Sequence, residues 1–314
     1  MNASGGPEVP EEVRGLAAER DDARARKDFA AADALRERIA ELGFEVTDSP
    51  HGPTLRPLAP TPDTLARIPA SEVRSLLDEP PRFDVSVHWV HEGWVEDVVR
   101  ALAAFRADEG DRKVQYVVAD VTGADPASFG DGVEVLSLVD GAGWAAARNA
   151  GLRRSLGRIV LAVDGSVEPA GHVFGPLEEA LADPTIGVCG PFGIVSRDLR
   201  SFEESDGPDV DAIEGYLMAM RREVLQLAGL FGERFRWYRT ADIEYSFRVK
   251  DRGLRAVVVH VPVTKHEHRM WTSTPEADRD RWSKRNFNVF LEAFRGRTDL
   301  LVKPGEPGSG GSSA

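Results

Sequence analysis

A single cysteine, Cys189, stands among the 314 residues, so no disulfide can form within the chain. It sits in the apolar run 186–189 and is expected on a buried strand. No stretch approaches the roughly eighteen apolar residues of a membrane-spanning helix, and the first residues lack the charged-then-apolar pattern of a secretory signal. The simplest expectation is a cytoplasmic protein. Positive charge is also short: 39 Lys and Arg against 52 Asp and Glu leave a net charge of −13. That argues against broad nucleic-acid affinity, which needs clustered cations to displace phosphate counterions. No G-x-G-x-x-G follows the first predicted strand, which removes a dinucleotide-binding Rossmann site. What is present, 42% hydrophobic and 29% charged residues, is ordinary for a soluble globular protein with room for one large and one small domain.

Residues 1–10 read as disordered. Apolar residues then recur at helical spacing, Val13, Leu16, Ala17 and Ala23, followed by Phe29, Ala32, Leu35, Ile39 and Leu42. With Asp28 as an N-cap and Gly43 as a stop, residues 11–49 are expected to form a helical hairpin. Prolines at 50, 53, 57, 60, 62, 69, 80 and 81 exclude regular elements and mark residues 50–81 as a linker or an extended wrap. The large domain is expected over residues 82–300, with a flexible tail at 301–314.

Within that domain, residues 84–90 alternate like a strand, and a helix carrying Val95, Val98, Val99 and Leu102 on one face follows Gly93. Further strands are expected at 114–118, ending at Asp120, at 133–139, ending at Asp140, at 159–163, ending at Asp164, and at 256–263. Strands alternating with helices imply a mainly parallel sheet covered on both faces. Residues 196–212, polar and acidic, read as a surface loop. The last helix, 275–297, carries Trp282, Phe287, Phe290, Leu291 and Phe294 with basic residues around them. Such a helix either packs back on its domain or makes peripheral contact with a membrane surface.

Two segments carry the chemistry. In 143–169 a helix holding Arg148 and Asn149 precedes the apolar run that stops at Asp164. A carboxylate there lies at the carboxyl edge of a sheet, where open α/β folds bind ligands; the plain alternative is a turn cap before Gly165. In 215–248 the order is Gly215, Arg221-Arg222-Glu223, then Asp242 and Glu244 at a helix start. Together the segments resemble the inverting family 2 glycosyltransferases of the GT-A fold. That family's G-x-x-x-A-R-N-x-G helix, Asp-x-Asp strand end, R-R-E helix and acidic E-D-x-D helix start appear here in order across residues 82–298. The resemblance implies an α/β GT-A domain, Rossmann-like with a mainly parallel sheet, preceded by a small helical hairpin. It implies transfer of a sugar from a nucleoside-diphosphate sugar to the hydroxyl of a polysaccharide, glycolipid or small-molecule acceptor.

The residue roles follow from the same resemblance. Asp242 is the proposed general base, with Glu244 as its alternate. Asp120, Arg148, Asn149, Asp164 and Ser166 are expected at the nucleotide sugar, with a turn-forming role as the alternative for Asp120. Mn²⁺ or Mg²⁺ is expected on Asp164 with one of His266 and His268, whose His-x-His spacing would place both rings on one face of a strand. Three positions depart from the pattern. Ser166 replaces the usual direct metal ligand, Ala241 replaces the Glu before the base, and His91-Glu92 replaces a Tyr-Asn pair after the first strand. Ser166 and Ala241 favour a competing reading, a catalytically weak GT-A domain used as a scaffold, while His91-Glu92 bears on recognition of the nucleotide base.

The string from Arg20 to Gly52 resembles the C-terminal segment of cysteinyl-tRNA synthetases. It implies a borrowed hairpin for protein partners or self-association. An RNA-associated role is the third reading, and the hairpin's nearly balanced charge counts against it.

Overall fold

The computed structural model describes residues 9–42, 44–49, 52–57 and 67–303. The disorder expected at residues 1–8, the helix stop at Gly43 and the tail beyond residue 303 lie outside the described residues. The chain forms two compact units, Met1–Ala66 and Arg67–Ala314.

In the first unit, α1 (Glu11–Ala25) and α2 (Phe29–Glu41) precede an antiparallel ribbon of β1 (Phe44–Ser49) and β2 (Gly52–Pro57). Asp28 caps α2 by accepting the Ala31 N–H at 3.1 Å. Val13, Ala17 and Ile39 are buried against Phe44, Val46 and Leu55. Segment 52–57, read from its prolines as linker, is therefore a strand. Both prolines, Pro53 and Pro57, fall on a two-stranded ribbon whose every strand is an edge, where a missing N–H is tolerated.

The second unit starts with an extended strap, residues 67–81. The Ile68 N–H donates to Ser137 O at 3.0 Å, Ile68 O accepts the Val139 N–H at 3.1 Å, and the Leu76 N–H donates to Arg153 O at 2.7 Å. Arg222, 6% exposed, donates to Glu79 O at 2.7 Å and to Leu76 O. This is the wrap that proline density allowed, laid on the large unit itself.

The chain then runs β3 (Phe83–His91), α3 (Val95–Ala107), β4 (Val114–Asp120), β5 (Val133–Ser137), α4 (Trp144–Arg153), β6 (Gly157–Val163), β7 (Val167–Pro169), α5 (Phe174–Leu181) and β8 (Ile186–Gly190). Next come β9 (Gly193–Ser196), β10 (Phe202–Ser205), β11 (Asp209–Val210), β12 (Ala212–Ile213), β13 (Leu217–Arg221), α6 (Arg222–Leu227) and α7 (Ala241–Asp251). Last are β14 (Arg255–Val258), β15 (Val263–Lys265), α8 (Arg269–Ser273) and α9 (Glu276–Phe294).

Eight strands form the central sheet in the order β11-β14-β8-β13-β6-β3-β4-β5. β5, β4, β3 and β6 are mutually parallel, β14 is parallel to β8, and β13 runs antiparallel between β6 and β8. Alternation along β3 sends Val85, Val87 and Trp89 into a core with Phe105, Phe174 and Leu177. The opposite face packs Leu152, Met218 and Tyr245. β3 continues to β4 on one side and to β6 on the other, so the order reverses beside it. The crevice at the carboxyl ends of β3 and β6 is thus a topological switch point, the usual ligand position of open α/β sheets.

Three sequence expectations change. The R-R-E segment is a strand before it is a helix, because residues 217–221 fill the gap between β6 and β8. The expected loop 196–212 contributes β10, β11 and β12; with β9, strands β10 and β12 make a three-stranded sheet, pinned by Phe202 against Phe247 and Phe290. The expected strand 256–263 divides into β14 and β15, which join different sheets. α9 buries Phe290 and Phe294 with Phe247 and Leu199, so it packs back on its domain. Among the described residues no helix is long and apolar enough to cross one. Cys189 lies fully buried on β8, its thiol pushed up to about 12 by burial.

Candidate active site

The apolar run of β6 ends at Val163, and the Asp164 N–H donates to Tyr216 O at 2.9 Å. Asp164 Oδ1 accepts the Ser166 N–H at 2.8 Å and the Ser166 hydroxyl. Its Oδ2 lies 3.3 Å from His268 Nε2. Burial opposes ionisation, but these bonds outweigh it and hold the Asp164 carboxyl below the usual carboxylate range. The same contact raises His268 against the lowering effect of its burial.

His268 arrives by a backbone device. β15 pairs antiparallel with β7, and the His266 N–H donates to Ser166 O at 2.7 Å. The two histidines lie beyond the strand, so the shared face expected from His-x-His does not exist. His266 Nε2 turns to Glu168 Oε2 at 2.7 Å, away from Asp164; His268 alone reaches it. Tyr238 stacks on the His268 ring with 4.4 Å between centroids.

Glu92, one residue past β3, entered the sequence reading only as half of the pair that replaces Tyr-Asn and was given no role at the site. It is half-buried and pushed up to about 7 by burial and by Asp164, with His268 and Arg148 opposing. Its signal was positional: it follows the strand beside the switch point. Arg148 is 3% exposed and donates to His88 O and Val163 O at 2.8 and 2.9 Å. It ties the ends of β3 and β6 together as a buried cation that interacts with Asp164 and Glu92. Both of its terminal nitrogens are thus bonded to backbone carbonyls.

Asn149 and Asp120 are likewise spent on backbone. Asn149 donates to Phe231 O at 2.8 Å and accepts the Phe231 N–H at 2.9 Å. Its amide closes on the 231 turn and leaves nothing for a nucleotide. Asn149→Ala is expected to lower stability by about 1–3 kcal/mol, since both backbone groups lose their partner. Nucleoside-diphosphate affinity should stay within twofold; a larger loss in a titration of the folded variant would restore a ligand role. Asp120 is 0% exposed and accepts from His91, from the Thr122 N–H and hydroxyl, and from the amides of Gly123 and Ala124. The turn-forming role is the one its geometry performs.

Asp242 opens α7. Its Oδ2 accepts the Gly215 N–H at 2.8 Å and its Oδ1 the Ile243 N–H at 2.9 Å. Thr240, the N-cap of α7 two residues before Asp242, holds φ 72°, a strained value for a β-branched side chain. Burial pushes the Asp242 carboxyl above the usual range, against the pull of those two amides and Arg239. Glu244, two residues on, faces the other way, since two helical steps turn about 200°. It pairs with Arg248 at 2.8 Å beside Gly232, and it takes no part in the cleft.

Asp164 and Asp242 line one cleft of about 460 Å³, walled by Tyr216, Tyr238 and Trp271. The sheet order described above and one solved structure decide the fold. GalNAc-T7 with UDP, GalNAc and Mn²⁺ matches 67% of this chain and 48% of its own at 16% identity, with a TM-score of 0.50. The fold is GT-A. Residues 6–56 match the cysteinyl-tRNA ligase anticodon binding domain. Over 53 residues the chain is 47% identical to cysteine--tRNA ligase of Methanosarcina mazei, covering 17% of this chain and 11% of the ligase. Over 41 residues it is 58% identical to the ligase of Solidesulfovibrio magneticus, 13% of this chain and 8% of that one. The chain thus spans about a tenth of the length of these ligases.

Proposed function

We propose that the second unit is an inverting glycosyltransferase that uses a nucleoside-diphosphate sugar. The carrying observation is the common cleft of Asp164 and Asp242 on a GT-A sheet. Direct displacement at an anomeric carbon needs a carboxylate facing the acceptor hydroxyl and charge stabilisation at the leaving diphosphate. Asp242, held by two backbone amides with its pKa raised, takes the acceptor proton. Asp164 and His268, paired at 3.3 Å, mark the side of the cleft taken by the departing diphosphate.

A divalent cation is tested by the donor set. Among the described residues no three His, Cys, Asp or Glu side chains converge to hold a metal. Asp164 and His268 supply two donors, while the Ser166 hydroxyl is turned toward Asp164. That pair fits Mn²⁺ or Mg²⁺ carried in with a diphosphate, whose oxygens complete the shell, and does not fit an all-protein cage. When bound, the ion would offset charge on the departing diphosphate.

Thermal unfolding against nucleoside diphosphates, with and without Mn²⁺, tests the reading, because a ligand of the folded state raises the midpoint. A selective shift is expected. None with any nucleotide would sink the transferase and leave the scaffold. Asp164→Ala is expected to weaken diphosphate binding at least tenfold, about 1.4 kcal/mol; unchanged affinity would make Asp164 a turn cap only. For the first unit we favour a protein-docking or self-association role, since residues 9–57 carry more acidic than basic side chains and RNA affinity rests on excess cations.

A further inference from the structure

The cleft is unevenly charged. Besides Asp164 and Asp242 its walls carry Glu204 and Glu214, against Arg239 and His268. Glu214 sits immediately before Gly215, its backbone fixed by donation to Phe192 O at 2.8 Å. Burial raises its carboxyl, and Lys265, 3.8 Å away, only partly compensates. Lys265 is itself held over the Phe192 and Tyr216 rings, 3.6 and 3.9 Å from their centroids, which fixes it beside Glu214. Glu204 projects from β10, opposite Ile194 of β9. Arg239 lies over Trp271 at 5.1 Å.

Resting on the transferase reading, we propose that the acceptor is a sugar ring bearing no negatively charged group, and that Glu204 and Glu214 enforce this choice. Carboxylates accept hydrogen bonds from hydroxyls, and the Tyr216 and Trp271 rings offer apolar faces. A pyranose presents both complements, O–H at its rim and C–H on its face. A uronate, phosphate or sulfate in the same place would set one more anion among carboxylates in a partly desolvated cleft, where repulsion is poorly screened. The edge strand β10 supplies one of the two discriminating groups, which gives the small β9–β10–β12 sheet a function beyond covering the core.

The test titrates the full chain, preloaded with the nucleoside diphosphate that gives the largest thermal shift. The probes are methyl pyranosides in matched neutral, amino and 6-carboxylate forms, read by tryptophan fluorescence and by calorimetry. Saturable binding of a neutral or amino member, with its 6-carboxylate partner at least tenfold weaker, is the expected result. Glu204→Gln with Glu214→Gln should bring that gap below threefold, chiefly by strengthening the 6-carboxylate form, while the nucleotide-induced thermal shift persists. Equal or tighter binding of the carboxylate form, no binding by any member, or a gap unchanged in the double variant overturns the proposal. A nucleotide shift in those cases keeps the transferase reading. Sugar selectivity without any nucleotide shift would instead overturn the transferase and keep a sugar site.

Discussion

Asp242→Asn is expected to slow transfer by about 10²–10⁴-fold, with diphosphate affinity within twofold of the parent. The amide keeps the volume of the side chain and can still accept from the Gly215 N–H, so the loss would isolate the proton-accepting role. The pH dependence has a definite sign. Only the ionised carboxylate takes the acceptor proton, and its pKa lies above the usual Asp range because of burial. Turnover should therefore fall on acidification at a higher pH than a free Asp would give, and the variant should lose that limb.

Stability should move the other way. A carboxyl raised in the folded state favours the protonated form there. Its contribution is complete below the unfolded value and is lost as pH climbs through the folded one. At neutral pH an ionised Asp242 is a cost to folding, and the neutral amide should leave the unfolding midpoint unchanged or raise it. A variant that turns over normally would remove Asp242 as base. One that unfolds easily would point to a structural role for its two backbone bonds.

Arg148→Met is expected to cost about 3–5 kcal/mol in chemical denaturation, the range for removing one partner from a buried charge arrangement. Two strand-end carbonyls would lose their donors, and Asp164 and Glu92 their nearby cation. In a unit of this size the thermal midpoint would fall by roughly 10 °C. Arg148→Lys should recover little, because one ammonium cannot bridge carbonyls on two strands as the planar fork does. Burial lowers Arg148 to about 10, still well above neutrality, so the cation persists at working pH. A loss below about 1 kcal/mol would show that the strand ends are held by the sheet alone.

The apolar run ending at Asp164 and the helix after Gly143 could be read from periodicity and turn residues, because each is a local pattern, while the helix start around Asp242 came from the family resemblance. β10, β11 and β12 could not: they have four, two and two residues, too short for alternation to register, and their placement depends on one aromatic, Phe202. Asp120 and Asn149 illustrate a different limit. The atoms that would hold a ribose are the atoms that close a loop, and only the identity of their partners separates the two uses. Glu92 was read only as a departure from the Tyr-Asn pair, because a lone acid after a strand has no spacing to give it a role. Its meaning comes from His268, brought in by a ribbon between segments about a hundred residues apart. Glu244 could have been excluded from the outset, since a two-residue step on a helix reverses direction.

The strap of residues 67–81 bears on how this domain can be moved between proteins. A chain cut at Phe83 would retain the central sheet and every residue of the proposed cleft. It would also strip Arg222 of the Leu76 and Glu79 carbonyls that receive its guanidinium, leaving a charge aimed at nothing on the far side of the sheet from the chemistry. The portable module therefore begins at Arg67, ahead of its first strand. Recombination or engineering that respects only the strands would transfer the cleft without the brace that keeps its scaffold closed.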